Sequence, residues 1–333
     1  MNFAPSPDTA PSSGGKSAAF AFAIAVFTAG ICLVSSCAPA THESNAAGRS
    51  DADLQIAGGA IRVDIDPEIT WLSKEAILEW VKTAATAVGD YYGRFPVPQL
   101  TVSVLPGGEG RIGGGEAFGG GSIRVQLGRQ TRPADLHDDW VLTHEMFHLG
   151  FPDLPSQYLW MNEGLADYLE PVARCRIGNL TPAEMWTQMV EGIPQGLPQP
   201  GDQGLDQTHT WGRTYWGGTL YWLLADVQIR EQTSNRHSLD DAARAILNAC
   251  GNGSRRWQLS DVLQTGDRAT GTSVLNDLHA QMGRHPWAPD LQSLWSRLGV
   301  QYDNGTVTLL DTAPLANVRR TITDPSSNPP RKP

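Results

Sequence analysis

Cysteine is scarce in this sequence. The 333-residue chain has four, at positions 32, 37, 175 and 250. That is too few for a disulfide-built scaffold, and none stands in the CxxC spacing of a cysteine zinc site. Positive charge is scarce too: 25 Lys+Arg stand against 35 Asp+Glu, a net charge of −10. Without a basic stripe to neutralise phosphates, nucleic acid is excluded as the main partner. Beyond the first forty residues no apolar run approaches the length of a membrane-spanning helix. What the chain does have is a hydrophobic fraction of 40% with 11 Trp. That is enough to build a core and excludes global disorder, at a length of one large domain or two small ones.

The long apolar run lies at the start. Residues 18–34 read AAFAFAIAVFTAGICLV without a charge; Lys16 precedes them, and Val34-Ser35-Ser36-Cys37 closes the segment. This pattern resembles a bacterial lipoprotein signal. The resemblance implies removal of residues 1–36 and a lipid on Cys37, which anchors the protein to the cell envelope. Ala38, rather than Asp, points to the outer membrane facing the periplasm. The competing reading is an uncleaved anchor or an ordinary signal; residues 18–34 are short for a span. Residues 37–57 are small and polar and read as a flexible tether. Export leaves Cys175 and Cys250 in an oxidising compartment, where they are expected to pair as a disulfide.

Alternation predicts strands at 61–65, 100–105 and 122–127, the last at a sheet edge. A helical period predicts helices over 73–92, 138–149, 156–170, 182–191, 211–232, 239–249 and 272–282. A strand pair is expected at 305–310 and 317–322, and a disordered tail at 324–333. The segment 106–122 holds nine glycines. It reads as a loop that is mobile or whose backbone approaches something closely. The fold class is therefore α+β over one unit, 58–323. A small mixed-sheet lobe (58–150) carries the active-site helix, a mainly helical lobe (151–323) follows, and the site lies in the cleft between them.

The chemistry concentrates in VLTHEMFHLGFP, 141–152. His144 and His148 stand at i and i+4, on one face of a helix, so two imidazoles reach one metal ion. Glu145 projects beside that ion and can accept a proton from water. A catalytic zinc site needs a third protein ligand and an open position. Phe151 and Leu154 stand where the metzincin pattern requires Gly and His, which excludes that class. Downstream, WMNEGLADYLEP (160–171) places Glu163, Asp167 and Glu170 on one helical face. Glu163 and Glu170 both remain open as the third ligand.

Here the chain resembles the gluzincin zinc metallopeptidases, the aminopeptidase-N and glycyl-aminopeptidase families. In them HExxH is followed by a helix reading W-L-N-E-G-F-A, which WMNEGLA matches closely. The resemblance implies one zinc ion held by His144, His148 and Glu163, with Glu145 as general base and a peptide or protein as substrate. It also implies that Asp167 orients His144 through its second ring nitrogen. Tyr215-Trp216-Gly217-Gly218 resembles the families' Y-x-K-G, with Gly217 in place of the Lys. This makes Tyr215 the donor to the oxyanion, with Tyr221 and Tyr168 as rivals. GGGEAFGGGS loosely resembles their G-x-M-E-N strand. Gly115 would then pair with the substrate backbone and Glu116 would bind a substrate amine, unless Glu116 is a plain loop charge. Only 106 residues separate Cys37 from His144, so the β-domain that precedes the catalytic domain in those families is not expected, and endo- and exopeptidase action both stay open. Two further readings remain: a zinc hydrolase of a non-peptide bond, and a non-catalytic surface lipoprotein with structural zinc.

Overall fold

A computed structural model describes residues 52–250 and 253–327, without the Cys250 side chain. The segment read as a lipoprotein signal, Cys37 and the end of the tail lie outside the described residues. Five strands form a mixed sheet: β1 (Ala52–Ile56), β2 (Gly59–Ile65), β3 (Gln99–Pro106), β4 (Ile112–Phe118) and β5 (Ser122–Leu127). Their order is β1-β2-β3-β5-β4. The β2–β3 and β3–β5 pairs are parallel; β1 and β4 run antiparallel to their neighbours.

Two expectations are corrected here. The sheet begins at Ala52, inside the segment read as tether, because Leu54 and Ile56 pack on the core while Asp53 and Gln55 stay exposed. The 122–127 strand is not at an edge. The glycine-rich segment supplies a further strand, β4, which takes the edge position. Gly113 and Gly114 fall in an irregular stretch of the ladder between Ile112 and Gly115, a local disruption that glycine accommodates.

Strand alternation sorts the sheet into two faces. Ile61, Val63, Leu100, Val102, Val104, Ile123 and Val125 are buried on one face, and Arg62, Thr101, Ser103 and Arg124 occupy the other. The helices are α1 (Lys74–Tyr92), α2 (Pro133–Asp138), α3 (Val141–His148), α4 (Leu159–Arg176), α5 (Pro182–Gly192), α6 (Gly218–Thr233), α7 (Leu239–Cys250), α8 (Leu259–Thr270), α9 (Val274–Leu278), α10 (Leu291–Leu298) and α11 (Ala316–Thr323). Ser73 caps α1 by accepting from the Ala76 N–H at 3.2 Å, and Gly93 ends it with φ 76°. The buried stripe Ile77, Trp80, Val81, Ala84 and Val88 of α1 joins the same core as α3 and α4. The architecture is α+β, a small mixed sheet followed by a mainly helical lobe. Among the described residues no helix is long and apolar enough to cross a membrane.

The C-terminal expectations also need correction. The hairpin is β6 (Val300–Asp303) with β7 (Thr306–Leu309). Asn304 (φ 48°) and Gly305 (φ 82°) form the turn between them, the Asn-Gly signal for a two-residue hairpin. Residues 317–322 are helical, in α11, with Val318 and Ile322 buried at an i,i+4 spacing. The expected Cys175–Cys250 disulfide is not formed: Cys175 is a free, buried thiol. Arg176 beside it pairs with Asp240 in the first turn of α7 at 2.9 Å. Cys250 ends that helix, ~15 Å farther along its axis.

Candidate metal and catalytic site

Helix α3 starts where the Asp139 carboxylate accepts hydrogen bonds from the backbone N–H groups of Val141 and Leu142, both at 3.1 Å. The Trp80 indole donates to the same carboxylate at 2.9 Å. This cap was not foreseen; its sequence signal is an Asp two residues before an apolar run. The helix ends at His148, and Gly150 is required just beyond it, because a Cβ there would sit 2.7 Å from the Tyr92 ring. The apolar residues of α3 bury it completely enough that His144 and Glu145 are themselves buried.

Three donors converge. His144 Nε2 and His148 Nε2 are 3.1 Å apart, and Glu163 Oε2 lies 3.2 Å from the first and 3.6 Å from the second. Donors each 2.0–2.1 Å from a tetrahedral zinc ion stand about 3.3 Å apart, so the residues fit such an ion. The two rings are nearly perpendicular, at 87°. The second ring nitrogens are held from behind. Asp167 Oδ1 is 2.9 Å from His144 Nδ1, in an approach too oblique for an ideal hydrogen bond. His148 Nδ1 donates to Asn162 Oδ1 at 2.8 Å. Asn162 was missed in the sequence, although its place next to Glu163 on α4 was visible. Such outer partners set the tautomer and the ring orientation.

The charges follow from this packing. Burial alone would make both histidines less basic, but Asp167 and Glu163 outweigh it at His144, as Glu163 does at His148, and raise their pKa values. Burial would raise Glu163, and the two histidines reverse that and hold it well below the usual carboxylate range. Glu170 is not part of the cluster. It pairs with Arg174 Nη1 at 2.7 Å, and burial pushes it up to about 7.

Tyr215 is the tyrosine that meets the cluster. The rivals are engaged elsewhere: Tyr168 donates to Asp226 at 2.9 Å and Tyr221 to the Leu275 carbonyl at 2.7 Å. Burial and the charges of Glu163, Asp167 and Glu145 hold the Tyr215 phenol well above its usual pKa. It is therefore a neutral donor at pH 7. Tyr215 sits in a π turn, Arg213–Gly217, that leads into α6. Glycines bring this turn against the ligand helix: a Cβ on Gly164 would lie 2.3 Å from the Gly218 backbone, and one on Gly218 2.2 Å from the Trp160 carbonyl. Ordinary side chains at these two positions would push Tyr215 away from Glu163.

The edge strand reaches the site as well. A Cβ on Gly115 would meet Glu145 Cγ at 2.5 Å, so the β4 backbone lies directly against Glu145. Glu116 does not share that placement. It pairs across the ladder with Arg124, whereas Gly115 pairs with buried Val125. Glu116 is exposed on the opposite face of the sheet, and the expectation that it anchors an amine at this site is corrected by the period-two register. A cavity of about 410 Å³ opens beside His148 and Glu163, with Ala117, Gly119, Ser254 and Arg256 in its walls. The segment before α8 closes its end: the Gly253 N–H donates to the Leu149 carbonyl at 3.1 Å and that of Trp257 to the Asp153 carbonyl at 2.9 Å.

No family model matches the chain, and no curated protein matches it in sequence. A solved structure with a TM-score above 0.5 shares its fold. An aminopeptidase N family protein from Idiomarina loihiensis superposes with a TM-score of 0.59 at 13% identity, over 75% of this chain and 49% of that one. An M1 zinc metallopeptidase from Deinococcus radiodurans aligns with a TM-score of 0.48 at 14% identity, over 72% and 52%. The chain thus spans about half the length of these solved structures, and at such identity the likeness is one of fold.

Proposed function

We propose that the chain is a zinc-dependent metallopeptidase that hydrolyses peptide bonds in the groove beside β4, α3 and α4. The observation that carries this reading is the three-donor cluster with Glu145 next to it. Its donor types and spacings match a zinc site of three protein ligands and one open position. His144, His148 and Glu163 would hold the ion. Zinc bound there supplies Lewis acidity, polarising a carbonyl and lowering the pKa of water toward 7. Glu145 accepts the proton from the attacking water and returns it to the leaving amine. Tyr215 donates to the oxygen anion of the tetrahedral intermediate. Among the described residues β4 pairs with β5 alone, and its other edge suits an extended peptide added as a further strand. That edge favours a peptide over a small non-peptide substrate.

Metal analysis of the purified protein should return one zinc per chain. Cleavage of a peptide library should stop on chelation and resume on zinc addition. Absence of zinc after metal-replete purification would sink the proposal. Turnover of esters or epoxides without any peptide cleavage would replace the substrate class.

Two variants test the site's parts. Tyr215→Phe should keep zinc and lower kcat by roughly 10²–10³-fold, the cost of removing one oxyanion donor. Gly115→Ala should displace Glu145 and lower kcat by about 10²-fold at unchanged zinc content, the scale of a 1 Å misplacement. Full activity in either variant would remove that residue from the reading.

The proposal extends to location. The apolar segment 18–34 and the Val34–Cys37 sequence support export and lipidation of Cys37. Mass spectrometry of the mature N-terminus should find a diacylglyceryl cysteine; an intact Met1 would refute it.

A further inference from the structure

The π turn that carries Tyr215 is an unstable element by itself. One extra residue is accommodated in the helical path, and the i→i+5 pattern is rare outside single turns. Relaxing it to α register would rotate the preceding residues by about 100° and take Tyr215 off Glu163. Something outside the helix must oppose that relaxation, and the neighbouring segment 196–204 supplies it. The Arg213 side chain is almost wholly buried, as is its partner Asp202 (3% and 2% exposed). Arg213 Nη1 donates to the Gly196 carbonyl at 2.6 Å. Its Nε lies 2.8 Å from Asp202 Oδ2, in an oblique charge contact rather than an aligned hydrogen bond. Asp202 is itself fixed, accepting from the Gly204 N–H at 2.8 Å. Glycines make the approach possible: a Cβ on Gly196 would lie 2.2 Å from the Gly217 nitrogen, and one on Gly212 2.2 Å from the Gln195 carbonyl.

We infer that Arg213, through Asp202 and the Gly196 carbonyl, is a positioning residue that locks the π register in which Tyr215 faces Glu163. This rests on the metallopeptidase reading, in which Tyr215 acts on the reacting carbonyl. Arg213 touches neither metal ligand nor substrate groove; it acts through the turn.

A double-mutant cycle tests it. Arg213→Met and Asp202→Asn are each made alone and on Tyr215→Phe, and assayed with the quenched-fluorescence peptides that the wild type cleaves. Each alone should lower kcat by about 10- to 10²-fold, the scale of misplacing a catalytic group, with KM within about twofold and zinc retained. On Tyr215→Phe the further loss should be under about twofold, because residues that act as a unit are not additive. Arg213→Lys, which keeps the charge but cannot reach both Asp202 and the Gly196 carbonyl, should recover only part of the rate. Equal losses in both backgrounds, or loss of zinc, would overturn the inference while leaving the peptidase reading in place. Should Arg213→Met fail to fold, Asp202→Asn carries the cycle alone. Amide exchange gives a readout independent of turnover: Asp202→Asn should speed exchange over 213–217 and leave α3 and α4 unchanged. Unchanged exchange at 213–217 would overturn the inference even if the wild type cleaves no peptide, an outcome that would count separately against the peptidase reading.

Discussion

Glu145→Gln is expected to bind zinc as the wild type does and to lose turnover by on the order of 10²–10⁴-fold, the usual contribution of a positioned general base. The separation of the two effects follows from the packing. Glu145 follows His144 on α3, but it is not one of the three convergent donors. Its side chain is buried against Gly115 of β4. The amide has the same shape and fills the same space, so neither the helix nor the ligand set has reason to move. What it loses is the capacity to take a proton. Zinc content by elemental analysis and kcat on the cleaved peptides are the two measurements. An active Glu145→Gln protein would remove the base from the mechanism, and a metal-free one would show that Glu145 holds the site together.

Glu163→Ala and Glu170→Ala should fail in opposite ways, although both carboxylates lie on α4. Removing Glu163 takes away one donor of three. One ligand's part in the ~10–16 kcal/mol of a four-ligand zinc site is roughly 3 kcal/mol, so zinc affinity should fall by about 10²-fold or more. Glu163 is also partly solvent-accessible, so the fold should survive. Glu170 is different. It is buried against Arg174, whose side chain is 2% exposed, and deleting it leaves a buried guanidinium without its counter-charge. That should destabilise the protein by about 3–5 kcal/mol and leave the zinc site intact at temperatures where the protein stays folded. Thermal unfolding and zinc titration together separate the cases. If Glu170→Ala loses zinc and Glu163→Ala keeps it, the third ligand must be reassigned.

How far the sequence carried these conclusions depends on the range of each interaction. The spacing of His144 and His148 sets their relation by itself, because any helix puts i and i+4 on one face. Glu145 is placed by the same local rule. The α1 boundaries were legible because Ser73 and Gly93 are local stops. The turn at Asn304-Gly305 is equally local: the strand expected over 305–310 is β7, but its partner is β6 on the near side of that turn and not 317–322, which is helical.

The remaining features were decided by partners distant in sequence. Glu163 and Glu170 share a helix face; Glu170 meets Arg174 one turn along the same helix, but only the approach of α3 to α4 puts Glu163 against the histidines. Tyr215, Tyr168 and Tyr221 are equally plain in the sequence; Asp226 and the Leu275 carbonyl engage two of them. The glycine-rich segment has almost no side chains to carry a periodic pattern. Its pairing with β5 determines that it is a strand, that Gly115 touches Glu145 and that Glu116 faces away. Cys175 and Cys250 look like a pair until α7 spans the distance between them. The sequence by itself determined the two histidines on one helix face, the glutamate beside them and the helices that carry the cluster, since these follow from spacing along one chain. Tertiary structure alone decided which carboxylate, which tyrosine and which face of the edge strand meet at the site, because each is selected by burial against residues tens of positions away.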